Sequence, residues 1–238
     1  MSEHIVSKYD EELNDVARRI AEMGGMAERL VDVAVGALMR VDAATARTVI
    51  ADDKKLDVLQ RECEERAIMI IARRQPMAMD LREVIAAQRI ASDLERIGDL
   101  AKNIAKRVIA LDGHIQSKRF NTGVEHMAQL SLAQLKDVLD SYATRDVDQA
   151  YQVWKRDEEI DAMYTSLFRE LLTYMMEDPR NITFCTHLLF CAKNIERIGD
   201  HATNIAETVY YVVTGQVLAE DRPKQDESST TAVAYEKN

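Results

Sequence analysis

One acidic phrase, ERIGD, is written twice in this chain of 238 residues, at 95–99 and again 101 residues later at 196–200. Over 95–107 and 196–208, nine of thirteen positions are identical without a gap. The apolar spacing around the phrase repeats as well. Ile90, Leu94, Ile97, Ala101, Ile104 and Val108 form a seam at three-and-four spacing, and Cys191, Ile195, Ile198, Ala202, Ile205 and Val209 reproduce it. Such spacing belongs to long helices packed nearly parallel or antiparallel. A duplicated helical unit is therefore the strongest constraint on the fold.

The upstream segments extend the duplication. A first helix carries Leu13, Val16, Ile20, Met23, Ala27, Leu30, Ala34 and Leu38, and Gly24-Gly25 can bend it without ending it. A second helix is predicted over about 45–73, with Leu56, Leu59, Cys63, Ala67 and Ile70 inward, and a third from "MDLREVI" to about 111 after the turn at Pro76. "LDGHIQSKRFNTG" reads as a linker. A fourth helix carries Met127, Leu130, Leu135, Val138 and Tyr142, and a fifth is predicted over about 146–176 with Ile160, Met163, Leu167, Leu171 and Tyr174 inward. After the turn at Pro179 a sixth runs over about 182–213. Helices two and five match at an offset of 104. The fold class is all-α, with two tandem three-helix bundles over about 1–112 and 116–215. The segment 216–238 lacks periodicity and reads as a disordered tail.

Composition agrees. Aromatic residues make up 5% of the chain, and helix-forming types dominate over strand formers. The formal net charge of −10 argues against nucleic-acid binding and against a polybasic membrane anchor. No apolar stretch is long enough to span a bilayer, and the acidic N-terminus does not read as a signal peptide. Cys63, Cys185 and Cys191 show no metal-ligand or redox spacing and fit reduced thiols in a cytoplasmic protein.

The glycine of the phrase disfavours a helix interior by roughly 1 kcal/mol relative to Ala. On a helical wheel Gly98 joins Ala91 and Ala105 in a small-residue stripe, and Gly199 joins Ala192 and Ala206. Close approach of a neighbouring helix accounts for that stripe. The carboxylates of Glu95 and Asp99 lie one turn apart, as do those of Glu196 and Asp200. The wheel places them off the apolar seam, on an outward face. Asp53 and Asp57 in the second helix and Asp157 and Asp161 in the fifth have the same spacing. The first two pairs centre 21 residues either side of Pro76, and the other two about 20 either side of Pro179. Antiparallel helices joined by a short turn bring equidistant positions together, so each bundle is expected to gather four carboxylates. Such a patch suits a hard cation: Mg²⁺, Mn²⁺, Ca²⁺ or iron rather than structural zinc. Asn103 and Asn204 can add carbonyl oxygens, and His201 is a weaker candidate. No phosphate-binding loop, nucleophile elbow or HExxH motif is present, so no enzymatic activity is expected.

Two bundles, each with "ERIGD…NIA" in its last helix and D-x-x-x-D in its middle helix, resemble the PhoU family of phosphate-specific transport system accessory proteins. The resemblance runs over about residues 5–214, and "MDLREVIAAQRIASD" adds to it. Carboxylate motifs of that family bind metal in some members. Carried over, they fall on Asp53, Asp57, Glu95, Asp99, Asp157, Asp161, Glu196 and Asp200, while Asn194 stands where the first repeat has Asp93. The resemblance implies a cytoplasmic negative regulator of the phosphate regulon, linking a phosphate ABC transporter to a membrane sensor histidine kinase and modulating phosphate uptake. A homodimer is expected. The alternatives are a carboxylate-rich metal-binding or metal-storage protein and a plain helical scaffold.

Overall fold

The computed structural model describes residues 2–111 and 121–218. Among them there are seven α-helices and no strand. They are α1 (Ser2–Arg40), α2 (Ala43–Arg74), α3 (Met79–Ala110), α4 (Asn121–Thr144), α5 (Val147–Lys155), α6 (Asp157–Glu177) and α7 (Ile182–Thr214). Helices α1, α2 and α3 pack on one another, and α4, α5 and α6 pack on α7. The two bundles meet through α3 against α7 and α1 against α4. Helices α2 and α5–α6 are thus the outer members on either side, and one continuous apolar core runs through both bundles.

The seams account for this core. Every seam residue named for α3 and α7 is buried, and Val16, Ile20, Met23, Ala27, Leu30, Ala34 and Leu38 are buried along α1. Gly24-Gly25 leaves α1 unbroken. The bundles also start their outer helices alike. Asp42 caps α2 by accepting from the Thr45 amide at 3.0 Å, and Asp146 caps α5 by accepting from the Gln149 amide at 3.0 Å. Satisfying an orphan amide in this way fixes a helix start. The residues just before the caps, Val41 and Arg145, are both left-handed, with φ of 51° and 57°.

Two expectations change. The fifth predicted helix is two helices, α5 and α6, interrupted at Arg156. Beside the break the Arg156 guanidinium is tied to Asp137 of α4, and the Trp154 indole, where the first bundle has Ile50, is buried and donates to Glu207 Oε1 at 3.1 Å. Apolar periodicity runs on across the break and gives no sign of it. The linker expected over 111–123 is shorter, because α4 already begins at Asn121. The rest of that linker and positions 219–238 of the expected tail lie outside the described residues.

Candidate functional site

The turn between α2 and α3 sets the register of the first acidic patch. Asp53 faces α3 at Gly98 and is only 1% exposed. A Cβ at Gly98 would stand 2.5 Å from Leu56 Cδ2 and 3.2 Å from Asp53 Oδ1, so the absent methyl is what admits α2. Asp53 Oδ2 accepts from the Lys102 ammonium at 2.5 Å, and the same ammonium donates to Asp99 Oδ1 at 2.5 Å. Arg96 pairs with Glu95 at 3.4 Å and with Asp99 at 3.3 Å. Asp53 Oδ1 is buried and has no hydrogen-bond partner. Burial pushes the Asp53 carboxyl above its ordinary range, the Lys102 ammonium opposes the rise, and Asp57 and Asp99 add to it. Burial raises Glu95 too, with Asp99, Asp57 and Asp53 adding to the rise. Burial disfavours the Lys102 charge, but its bonds to Asp53 and Asp99 outweigh this and raise its pKa. Asp57 and Asp99 thus lie close enough to Asp53 and Glu95 to raise the carboxyls of those two.

The second patch has the same plan with different partners. Asp157 opens α6 directly after the break and is 2% exposed. The Thr203 hydroxyl lies 3.1 Å from both Asp157 Oδ1 and the Gly199 carbonyl. Asp161 and Glu196 are also buried. Glu196 Oε1 accepts from Lys193 Nζ at 2.8 Å, whereas its Oε2 is buried and has no hydrogen-bond partner. Burial lifts the Glu196 carboxyl to about 7; Lys193 opposes the shift, and Asp200 and Asp161 reinforce it. A Cβ at Gly199 would stand 3.5 Å from the side-chain oxygen of Gln134, another buried acceptor without a partner.

The outward face expected for Glu95, Asp99, Glu196 and Asp200 is corrected at Glu196 alone, the other three being half-buried. Asp53, Asp157, Asp161 and Glu196 are buried, because the small-residue stripe beside each seam admits the outer helix on that side. Among the described residues, no three acidic, histidine or cysteine side chains come together so as to hold a metal ion. His201 is engaged elsewhere: its Nδ1 lies 2.8 Å from Asp93 Oδ1, across the junction of the two bundles, and Asn204 donates to the same oxygen at 3.4 Å.

Sequence reasoning missed the non-acidic side chains that pack at the patches. Aligning the repeats sets Lys102 against Thr203, at the offset of 101, and Leu30 against Gln134, at the offset of 104. The signal was present as mismatches between repeats otherwise alike.

A family model described as PhoU domain matches twice, over residues 20–108 and 124–209, so each match takes in one acidic patch. The chain belongs to the PhoU family. A PhoU homolog of Rhizobium meliloti (strain 1021), described as a phosphate-specific transport system accessory protein, is 62% identical over 227 residues, covering 95% of this chain and 96% of that one. A homolog of the same description from Caulobacter vibrioides (strain NA1000 / CB15N) is 51% identical over 226 residues, covering 95% and 98%. Among solved structures, PhoU from Pseudomonas aeruginosa superposes with a TM-score of 0.85 at 40% identity, covering 87% of this chain and all (100%) of that one. The phosphate transport system regulatory protein PhoU from Streptococcus pneumoniae follows at 0.82 and 29%, covering 89% and 100%. The PhoU architecture of two tandem domains is thus the one described above.

Proposed function

We propose that this chain is an accessory protein of phosphate transport that represses phosphate-starvation genes when phosphate is plentiful. In this reading it acts at the cytoplasmic face of the membrane, as a homodimer without catalytic activity. It couples a phosphate ABC transporter to a sensor histidine kinase and modulates uptake. The observation that carries the reading is the full-length match to relatives described as phosphate-specific transport system accessory proteins. Two features support it: no helix among the described residues is long and apolar enough to cross a membrane, and the long duplicated helices offer two related faces for docking. The test is co-purification of the tagged chain with the transporter and the kinase from solubilised membranes. Recovery of both in phosphate-rich cells is expected; recovery of neither counts against the coupling.

A second reading, cation binding at the carboxylate patches, is favoured by the buried, unpartnered oxygens of Asp53 and Glu196. The ligand set is Asp53, Asp57, Glu95 and Asp99 in one bundle and Asp157, Asp161, Glu196 and Asp200 in the other. All-oxygen donors suit Mg²⁺, Mn²⁺ or iron. Metal analysis of protein purified without chelator tests it, and metal-free protein showing no thermal shift with these ions would remove it.

A further inference from the structure

We propose that residues 231–237 of this chain lie along a groove between α1 and α4 and strap the two bundles together. The strap is independent of the phosphate-regulatory reading.

A cavity of about 560 Å³ opens between the bundles. Val16 and Ile20 of α1, Val84 of α3, Leu139 of α4, and Val209 and Val212 of α7 wall it. Four helices, two from each bundle, therefore meet at one apolar trough, and a segment seated in it touches both bundles. The trough runs along α1 from Leu13 to Glu28, a rise of about 22 Å. Glu83, Arg145 and Val213 mark one end, where Arg145 pairs with Glu83 at 2.6 Å. Gly25, Glu28 and Asp140 mark the other. No neighbouring atom lies within 4 Å of where a Cβ on Gly25 would stand, so an occupant has room there.

The described chain leads to this groove. Helices α3 and α7 run antiparallel: the Arg107 guanidinium sits 4.2 Å from the Phe190 ring centre, and that of Arg89 sits 5.9 Å from the Tyr211 ring centre. The end of α7 therefore lies beside the start of α3, at the Glu83 end of the trough. There Val213 lines the groove and is 38% exposed. Just past the helix, Gly215 turns the chain with φ of 74°, and Leu218 comes back to pack on the core.

The sequence that follows has the length and chemistry of an occupant. Positions 219–230, AEDRPKQDESST, are almost wholly polar and supply a leash, and 231–237, TAVAYEK, carry the apolar side chains. In extended backbone those seven residues span about 23 Å, the length of the trough. Alternation puts Val233, Tyr235 and Lys237 on one face. Laid with Lys237 at the far end, that face brings a cation to Glu28 and Asp140. A cation suits that end: burial raises the Glu28 carboxyl, Lys136 opposes the rise, and Asp140 adds to it. The short leash holds the segment near the groove at an effective concentration of about a millimolar, so a weak contact is enough to fill it.

The test is photo-crosslinking of the full chain with benzoylphenylalanine at position 235, read by mass spectrometry of the joined peptides. Crosslinks within one chain to 13–28 or 139–145 are expected, with a yield unchanged by dilution. Ala21→Trp, which fills the groove from an exposed lining position, should remove them. Lys237→Glu should lower their yield about fivefold, and adding Glu28→Lys should restore part of it. Crosslinks joining isotopically light to heavy copies would seat a second chain in the groove and overturn the proposal. So would crosslinks to other surfaces, or none, in a protein whose circular dichroism is native. Should Ala21→Trp fail to fold, the Lys237→Glu variant decides, and an unchanged yield there overturns the proposal.

Discussion

Asp53 Oδ1 lies 3.2 Å from the point where a Cβ on Gly98 would stand, so the glycine of the repeated phrase seats the buried carboxylate of the outer helix. Two glycines in this chain should therefore respond oppositely to alanine. At Gly98 the helix-propensity gain of about 1 kcal/mol is outweighed by overpacking against Leu56 and Asp53, for a net loss of about 1–3 kcal/mol. At Gly25 nothing lies within 4 Å of the added methyl, and Gly25→Ala should stabilise by roughly 0.5–1 kcal/mol. Urea unfolding of both variants checks this. Equal stabilisation at the two positions would contradict the close approach at Gly98.

The parts of this fold legible in the sequence were those carried by periodicity and by repetition. Leu94, Ile97 and Ile104 announce their burial by spacing, and equal distances from Pro76 bring Asp53 to the phrase on α3. The burial of Asp53 was not legible, because a wheel drawn for one helix shows only which residues leave its own seam. The stripe beside that seam, at Gly98, is where the second helix enters, and the depth of entry depends on the missing Cβ. The role of Lys102 was hidden for a related reason. A lysine three residues after an aspartate is ordinary on a helix surface, and only contact with Asp53 of another helix makes it a counter-ion. The break at Arg156 had no sequence signal, since the apolar spacing continues from α5 into α6.

The contact between Asp93 Oδ1 and His201 Nδ1 at 2.8 Å ties α3 to α7, and the pseudo-equivalent positions, Asn194 and Leu100, cannot form its counterpart. Asp93→Asn and His201→Gln should each cost about 0.5–1.5 kcal/mol, and the double variant should cost clearly less than the sum. A double-mutant cycle on urea-unfolding free energies checks this. Strict additivity would mean that the two side chains do not interact in solution.

Glu196 gives the fold a pH dependence of defined sign. Its folded-state pKa, about 7, is raised from the ordinary 4.5 by burial and by its acidic neighbours. The folded state therefore holds this proton more tightly than the unfolded state. The contribution is complete below about 4.5 and is lost as the pH rises through about 7, a change on the order of 3 kcal/mol. In metal-free buffer with chelator, stability relative to Glu196→Gln should fall from pH 5 to pH 8. Parallel pH profiles for the two proteins would place the carboxyl near its ordinary value.

The central claim, that the chain represses phosphate-starvation genes, is tested most directly by alkaline phosphatase activity in a strain lacking its gene, grown with abundant phosphate. The expected result is high phosphatase activity, returned to the repressed level by the intact gene. Phosphatase activity and phosphate uptake both unchanged by the deletion would contradict the claim and favour the metal-binding alternative.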